Sequence, residues 1–114
     1  MGDSAPLNVK NLMSEGNFAT GLGGAVFMKN SGGGGAFTGG SIEAAAAKEG
    51  GGIYLYNTAA SIESVTISYN SATSKGGGIF NGGFAPGTVT LTNDKIVSNI
   101  APIDPDISGP FTFI

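Results

Sequence analysis

The chain contains no cysteine and no histidine, and its five basic residues are all lysine. Without thiols there is neither a disulfide framework nor a thiolate metal site. A formal net charge of −3 and the absence of arginine leave no basic footprint for a phosphate backbone, so no nucleic-acid partner is expected. Charge of either sign is scarce, at 11% against 40% apolar residues, which excludes a chain held open by self-repulsion. Long apolar runs are missing as well. No stretch approaches the roughly 20 residues of a membrane-spanning helix, so no membrane span is expected. The opening MGDSAPLNVK has neither the basic start nor the apolar core of a signal peptide. Pro6 stands where a myristoylation signal carries Ser or Thr.

What the chain does have is glycine, 21 of 114 residues, separated by Ile, Val, Phe and Tyr. That combination predicts short strands closed by tight corners, in one domain long enough to bury a core.

The glycines recur in a phrase. Gly23-Gly24-Ala25-Val26-Phe27, Gly50-Gly51-Gly52-Ile53-Tyr54 and Gly76-Gly77-Gly78-Ile79-Phe80 are three versions of it. Asn17-Phe18-Ala19-Thr20 leads into the first and Asn70-Ser71-Ala72-Thr73 into the third with the same count. Ala44 to Glu49 fills that register before the second, and Asn99-Ile100-Ala101 opens a fourth copy. Landmarks at 17, 44, 70 and 99 give a period of 26–29 residues. Runs such as Ser64–Tyr69 and Thr88–Thr92 alternate with the period of two that marks strands.

A repeat this short, with strands and glycine corners and no helix pair, fits one coil of a β-solenoid. The expected fold is all-β, a short right-handed parallel β-helix of about four coils spaced about 4.8 Å apart. Residues 1–6 would form an N-terminal extension or cap, 7–101 the coils, and 102–114 a proline-rich tail or cap. Gly23, Gly24, Gly51, Gly52, Gly77 and Gly78 are expected at sharp corners, with Val26, Ile53 and Ile79 stacked inside. Asn17, Asn70 and Asn99 are read as corner residues forming an internal amide ladder, broken at Ala44. Ser41–Glu49 looks helical in isolation, but the repeat register makes it a corner and loop of the solenoid.

The pattern Gly-Gly-Ala-Val at 23–26, followed by Phe27-Met28-Lys29-Asn30, resembles the repeats of chlamydial polymorphic membrane proteins. Tyr54–Asn57, Ile67–Asn70 and Ile96–Asn99 look like looser copies of the second motif. More broadly, the chain is similar from about Leu7 to Ile107 to parallel β-helix repeats of bacterial and algal surface proteins. The resemblance implies the solenoid fold and a cell-surface or extracellular setting of adhesin type. It assigns no activity.

Enzyme chemistry on such a scaffold needs paired carboxylates or a carboxylate with a basic partner. Only Glu43 and Glu63 fall in comparable coil regions, with Lys75 as a lone basic group, so no catalytic residues are expected. Gly32–Gly35 lacks the Lys-Ser/Thr pair of a phosphate loop, and no cofactor is expected. Asp104 and Asp106 alone make an incomplete Ca²⁺ shell, and no metal is expected.

The expected role is a non-catalytic structural or binding module, either a subunit of a larger assembly or an adhesin-type surface protein, with protein partners. Phe111 and Phe113 would cap the core or dock on the partner. Tyr54, Tyr56, Phe80 and Phe84 are the aromatic anchors of any exposed contact face. An alternative is an ice- or carbohydrate-binding face built on Thr88, Thr90 and Thr92, continued by Thr66 and Ser68.

Overall fold

The computed structural model describes residues 7–29, 34–83 and 87–113. The chain runs through β1 (Leu7–Glu15), β2 (Val26–Lys29), β3 (Gly35–Glu43), β4 (Ala46–Glu49), β5 (Ile53–Tyr56), β6 (Ala60–Glu63) and β7 (Thr66–Ser68). It continues through β8 (Ser71–Lys75), β9 (Ile79–Gly82), β10 (Val89–Thr92), β11 (Lys95–Val97), β12 (Ile107–Ser108) and β13 (Thr112–Phe113). Every pairing between these strands is parallel, so each coil lies on the one before it.

The stack has four sides. The first carries the front half of β1, then β3, β6, β10 and β13. The second carries the rear halves of β1 and β3, then β7 and β11. The third is β4 on β8, extended by bridges from Phe18, Leu22, Ile100 and Ile103. The fourth is β2, β5, β9 and β12. The expected all-β solenoid is what the chain forms, with about three regular turns rather than four. The pass beginning at Val89 is abbreviated, and its fourth side shrinks to the two residues of β12. Pro102, Pro105 and Pro110 explain this, since proline gives a strand ladder no N–H.

Inside the stack, like sits on like. Val9, Phe37, Ile62 and Leu91 share one column, Ile42, Ile67 and Ile96 another, and Val26, Ile53, Ile79 and Ile107 a third. The inner members are buried and Val9, Val26, Ile96 and Ile107 at the two ends partly so, and full burial of one such side chain is worth about 1.5–3 kcal/mol. Val26, Ile53 and Ile79 therefore stack as the repeat predicts.

The corners are also columns. Asn11, Gly39, Ser64 and Asn93 occupy one register and all have left-handed backbone, with φ of 54°, 71°, 56° and 53°. Gly16, Ala44, Tyr69 and Ser98 form a second, at 73°, 56°, 57° and 59°. Gly23, Gly50, Gly76 and Asp104 form a third, at 67°, 61°, 65° and 48°. The left-handed residue of the second corner thus precedes Asn70 and Asn99 instead of being them. Within the glycine phrase the roles divide. Gly50 turns the chain, whereas Gly51 has no room for a side chain, because a Cβ there would lie 2.3 Å from the carbonyl oxygens of Gly77 and Ser71.

No helical turn forms at Ser41–Glu49. β3 runs to Glu43, Ala44 turns, and Ala45 and Ala47 press into the interior, so the stack overrides the helical preference of the alanines. Ala45, not Ala44, is level with Asn70, since Ala46 pairs with Ser71. The shift is taken up by an irregularity between Ala47 and Glu49, where the third coil fits one extra residue before Lys75.

Two substitutions test the division of roles. Ala44→Gly relieves a left-handed alanine and should raise unfolding stability by about 0.5–1 kcal/mol. Gly51→Ala should lower it by about 2 kcal/mol or more. Denaturant midpoints that leave both variants level with the parent would contradict this picture.

Candidate functional site

A left-handed corner rotates the following amide toward the interior, where its N–H needs an acceptor. The chain supplies one from the next coil. The Ala45 N–H donates to Asn70 Oδ1 at 2.9 Å, and the Asn70 N–H to Asn99 Oδ1 at 3.0 Å. Asn70 Nδ2 also donates to Asn99 Oδ1 and to the Ile42 carbonyl, both at 3.0 Å. Asn99 Nδ2 reaches the Ile67 carbonyl at 3.0 Å. Both asparagines are buried, so they form the internal amide ladder. Asn17 stands outside it: it is exposed and donates to Ser14 Oγ. The gap is at Ala45, which has no side-chain oxygen.

The ladder ends on a carboxylate. Asp106 Oδ1 accepts from the Asn99 N–H at 3.2 Å and from Asn99 Nδ2 at 3.0 Å. Asp106 falls one residue before Ile107, the register of Ala25, Gly52 and Gly78 in the coils below; a Cβ at Gly52 or Gly78 would meet the next coil's backbone, whereas Asp106 stands at the open end. Asp94 does the same at the first corner. Its Oδ1 accepts from the Val65 N–H at 2.9 Å and its Oδ2 from the Thr92 N–H at 3.2 Å. Burial pushes the Asp94 carboxyl above its ordinary range; the two N–H donors pull it back, and Glu63 adds to the rise.

Around these carboxylates the last coil is open. A cavity of about 490 Å³ is lined by Leu91, Asn93, Asp94, Ile96, Asp106, Ile107 and Phe113. Ile96 and Ile107 are the last members of their apolar columns, and Leu91 is followed only by the exposed Phe113. Among the described residues, no strand lies on the outer edges of β11 and β12, and β13 covers only Thr90 and Leu91 of β10. Phe113 rises from this end 69% exposed, while Phe111 is partly buried against the core. Ile100 and Ile103 of the same coil are also exposed.

The other expected contact residues lie elsewhere. Tyr54 is not an exposed anchor: it is buried in a stack with Phe27 at 5.3 Å and Phe80 at 4.9 Å, rings within 6° of parallel. Burial raises its hydroxyl pKa, with Glu49 and Tyr56 adding to the shift. These rings spend their faces on each other. Tyr56 is half-buried, with Lys29 Nζ 5.4 Å over its ring, and Phe84 lies outside the described residues.

Thr88 is exposed and Thr90 and Thr92 are half-buried on the outer side of β10. Their row is not continued by Thr66 and Ser68, which pair with Lys95 and Val97 on another side. Thr90 is level with Ser61 and Thr112, and Thr92 with Glu63, because the left-handed Asn93 turns the chain between the two sides. Glu43 is level with Glu15 and Ser68, Glu63 with Thr38 and Thr92, and Lys75 with Glu49, so the three do not converge. Gly23 turns a corner like Gly50, while Gly24, Gly52, Gly77 and Gly78 sit, like Gly51, where a Cβ would meet backbone of the next coil.

The sequence did not point to Asp94 as a site residue, and Asp106 was weighed only as half of an incomplete Ca²⁺ shell. The available signal was a carboxylate standing in a column otherwise filled by Leu12, Gly40 and Val65, or by Ala25, Gly52 and Gly78.

Asn70→Leu keeps the volume but leaves the buried Ala45 N–H and Ile42 carbonyl without their partner, and should cost about 2–4 kcal/mol. For Asp94 the folded state holds the proton more tightly than the unfolded chain. Its contribution to stability is therefore present in acid, below about pH 4, and is lost as pH rises through the folded-state pKa. Asp94→Asn keeps an acceptor for Val65 without the buried charge. Its unfolding free energy, followed from pH 3 to 7, should lack that decline and exceed the parent's at neutral pH; a parallel pair of curves would refute the assignment.

Set against protein-family models, curated proteins and solved structures, the chain matches none, and its function rests on the geometry of these residues.

Proposed function

We propose that the chain is a non-catalytic β-solenoid binding module that docks end-on against a protein partner within a larger assembly. The observation that carries this reading is the uncovered last coil. It combines three core columns that end at a cavity with two strands whose outer backbone groups pair with no strand among the described residues. An apolar end bordered by open strand edges is the surface on which an added strand gains both hydrogen bonds and burial. The two carboxylates nearest the cavity are engaged with backbone amides, which suits capping rather than catalysis. The Gly-Gly-Ala-Val and Phe-Met-Lys-Asn resemblance adds a cell-surface, adhesin-type setting to the reading; Asn30 of that motif lies outside the described residues.

The test is the native mass of the chain in a gentle extract of its source, by light scattering. A mass well above 11.2 kDa that Ile96→Asp collapses toward the single chain is the expected result. A parent that runs as the single chain, or an assembly that Ile96→Asp leaves intact, would overturn the reading.

A further inference from the structure

The first coil has the properties the last coil lacks a partner for. Among the described residues, the outer edges of β1 and β2 pair with no strand, and Val9, Leu12 and Val26 are only partly buried at that end. The first coil turns at Asn11, Gly16 and Gly23, in register with Asn93, Ser98 and Asp104 of the last. The ends also differ in charge. The described first coil carries Lys10 and Lys29 against Glu15, whereas the last carries Asp94, Asp104 and Asp106 against Lys95.

From this we propose that the partner is a second copy of the chain, stacked head to tail, with the first coil of one on the last coil of the other. The inference rests on the reading of the last coil as a docking end. Head-to-tail stacking keeps the parallel pairing found throughout the molecule and brings corner over corner. A two-fold arrangement would set the same strands antiparallel and the corners out of step. Val26 then continues the column of Ile107, and Val9 that of Leu91. A contact between two different surfaces does not close on itself, so the product is a row of copies.

Two elements stand in the way. Asp106 holds its carboxylate on the Asn99 N–H where the backbone of an incoming coil would pass, so docking requires that side chain to swing off and leave the N–H to the incoming Asn17, which is level with it. β13 holds the outer edge of β10 that the front half of β1 would take, but it does so with only Thr112 and Phe113, both exposed. It acts as a weak plug that an incoming β1 displaces, and association is therefore weaker than the matching of the two ends would give alone.

Sedimentation of the purified full chain across a concentration series tests this. The parent should associate as concentration rises, and Phe113→Gly, which loosens the plug, should do so at lower concentration. Val26→Asp and Ile96→Asp place a charge on opposite faces of the same contact, and each should weaken association by about tenfold or more. Circular dichroism checks that both variants remain folded. Mixed together they retain one competent pair of ends, so they should form dimers and nothing larger. Parent and Phe113→Gly chains that both stay single at the highest soluble concentration would overturn the proposal, as would association untouched by Val26→Asp. A single purified chain alongside a large assembly in the native extract would refute self-stacking while leaving end-on docking to a different protein in place.

Discussion

The amide that follows each left-handed corner is the constraint on which the rest of the structure depends. At the first two corners the coil turns by swinging an N–H toward an interior that otherwise holds Ile, Val, Leu and Phe, whereas at the third the N–H of Gly24 or Gly51 meets a backbone carbonyl of the next coil. An unmet donor in that interior costs about 1–3 kcal/mol. Ala45, Val65, Asn70 and Asn99 all follow such corners; a side-chain oxygen from the next coil receives the first three N–H groups, and Asp106 of the same last pass receives that of Asn99. Each coil is thus completed by its neighbour, and the ordering of polar groups inside the stack runs in one direction.

That direction explains the two ends. Toward the first coil the ladder stops at Ala45, and Asn17 turns outward to Ser14. Toward the last coil every donor still needs an acceptor, and there is no further asparagine to give one. Asp106 and Asp94 fill the role, reaching back from within the abbreviated pass. Their carboxylates satisfy backbone donors and leave the apolar columns beside them uncovered, which is why the cavity and the caps occupy the same end.

The solenoid was legible in the sequence because its period is written twice, in glycines and in alternating apolar residues. Val26, Ile53 and Ile79 followed directly from alignment of the three phrases. The exact corner was less legible. Asparagine is a good left-handed residue, yet here Tyr69 and Ser98 turn while Asn70 and Asn99 point inward, since the interior needs amides more than the corner does. A one-residue irregularity near Ala47 was invisible to an ungapped comparison and moved the ladder gap from Ala44 to Ala45. The threonines of β10 were assigned the wrong neighbours because a left-handed Asn93 sends Thr90 and Lys95 to different sides of the stack. The last coil was the hardest part. Its carboxylates gain their meaning from column position, and the prolines obscure that position.

The aspartate caps also bear on how such a chain could lengthen over evolutionary time. Duplication of a stretch of 25–29 residues adds a coil whose asparagine both receives and gives, so the middle of the stack accepts growth without new chemistry. The segment from Asp94 to Asp106 cannot be copied in the same way. In an interior coil of one chain, Asp106 would press a charged side chain where Gly52 and Gly78 meet the backbone of the coil beyond, and its carboxylate would contend with the next asparagine for the Asn99 N–H. Lineages that gain or lose coils should therefore do so ahead of Asp94, with the terminal segment carried along unchanged.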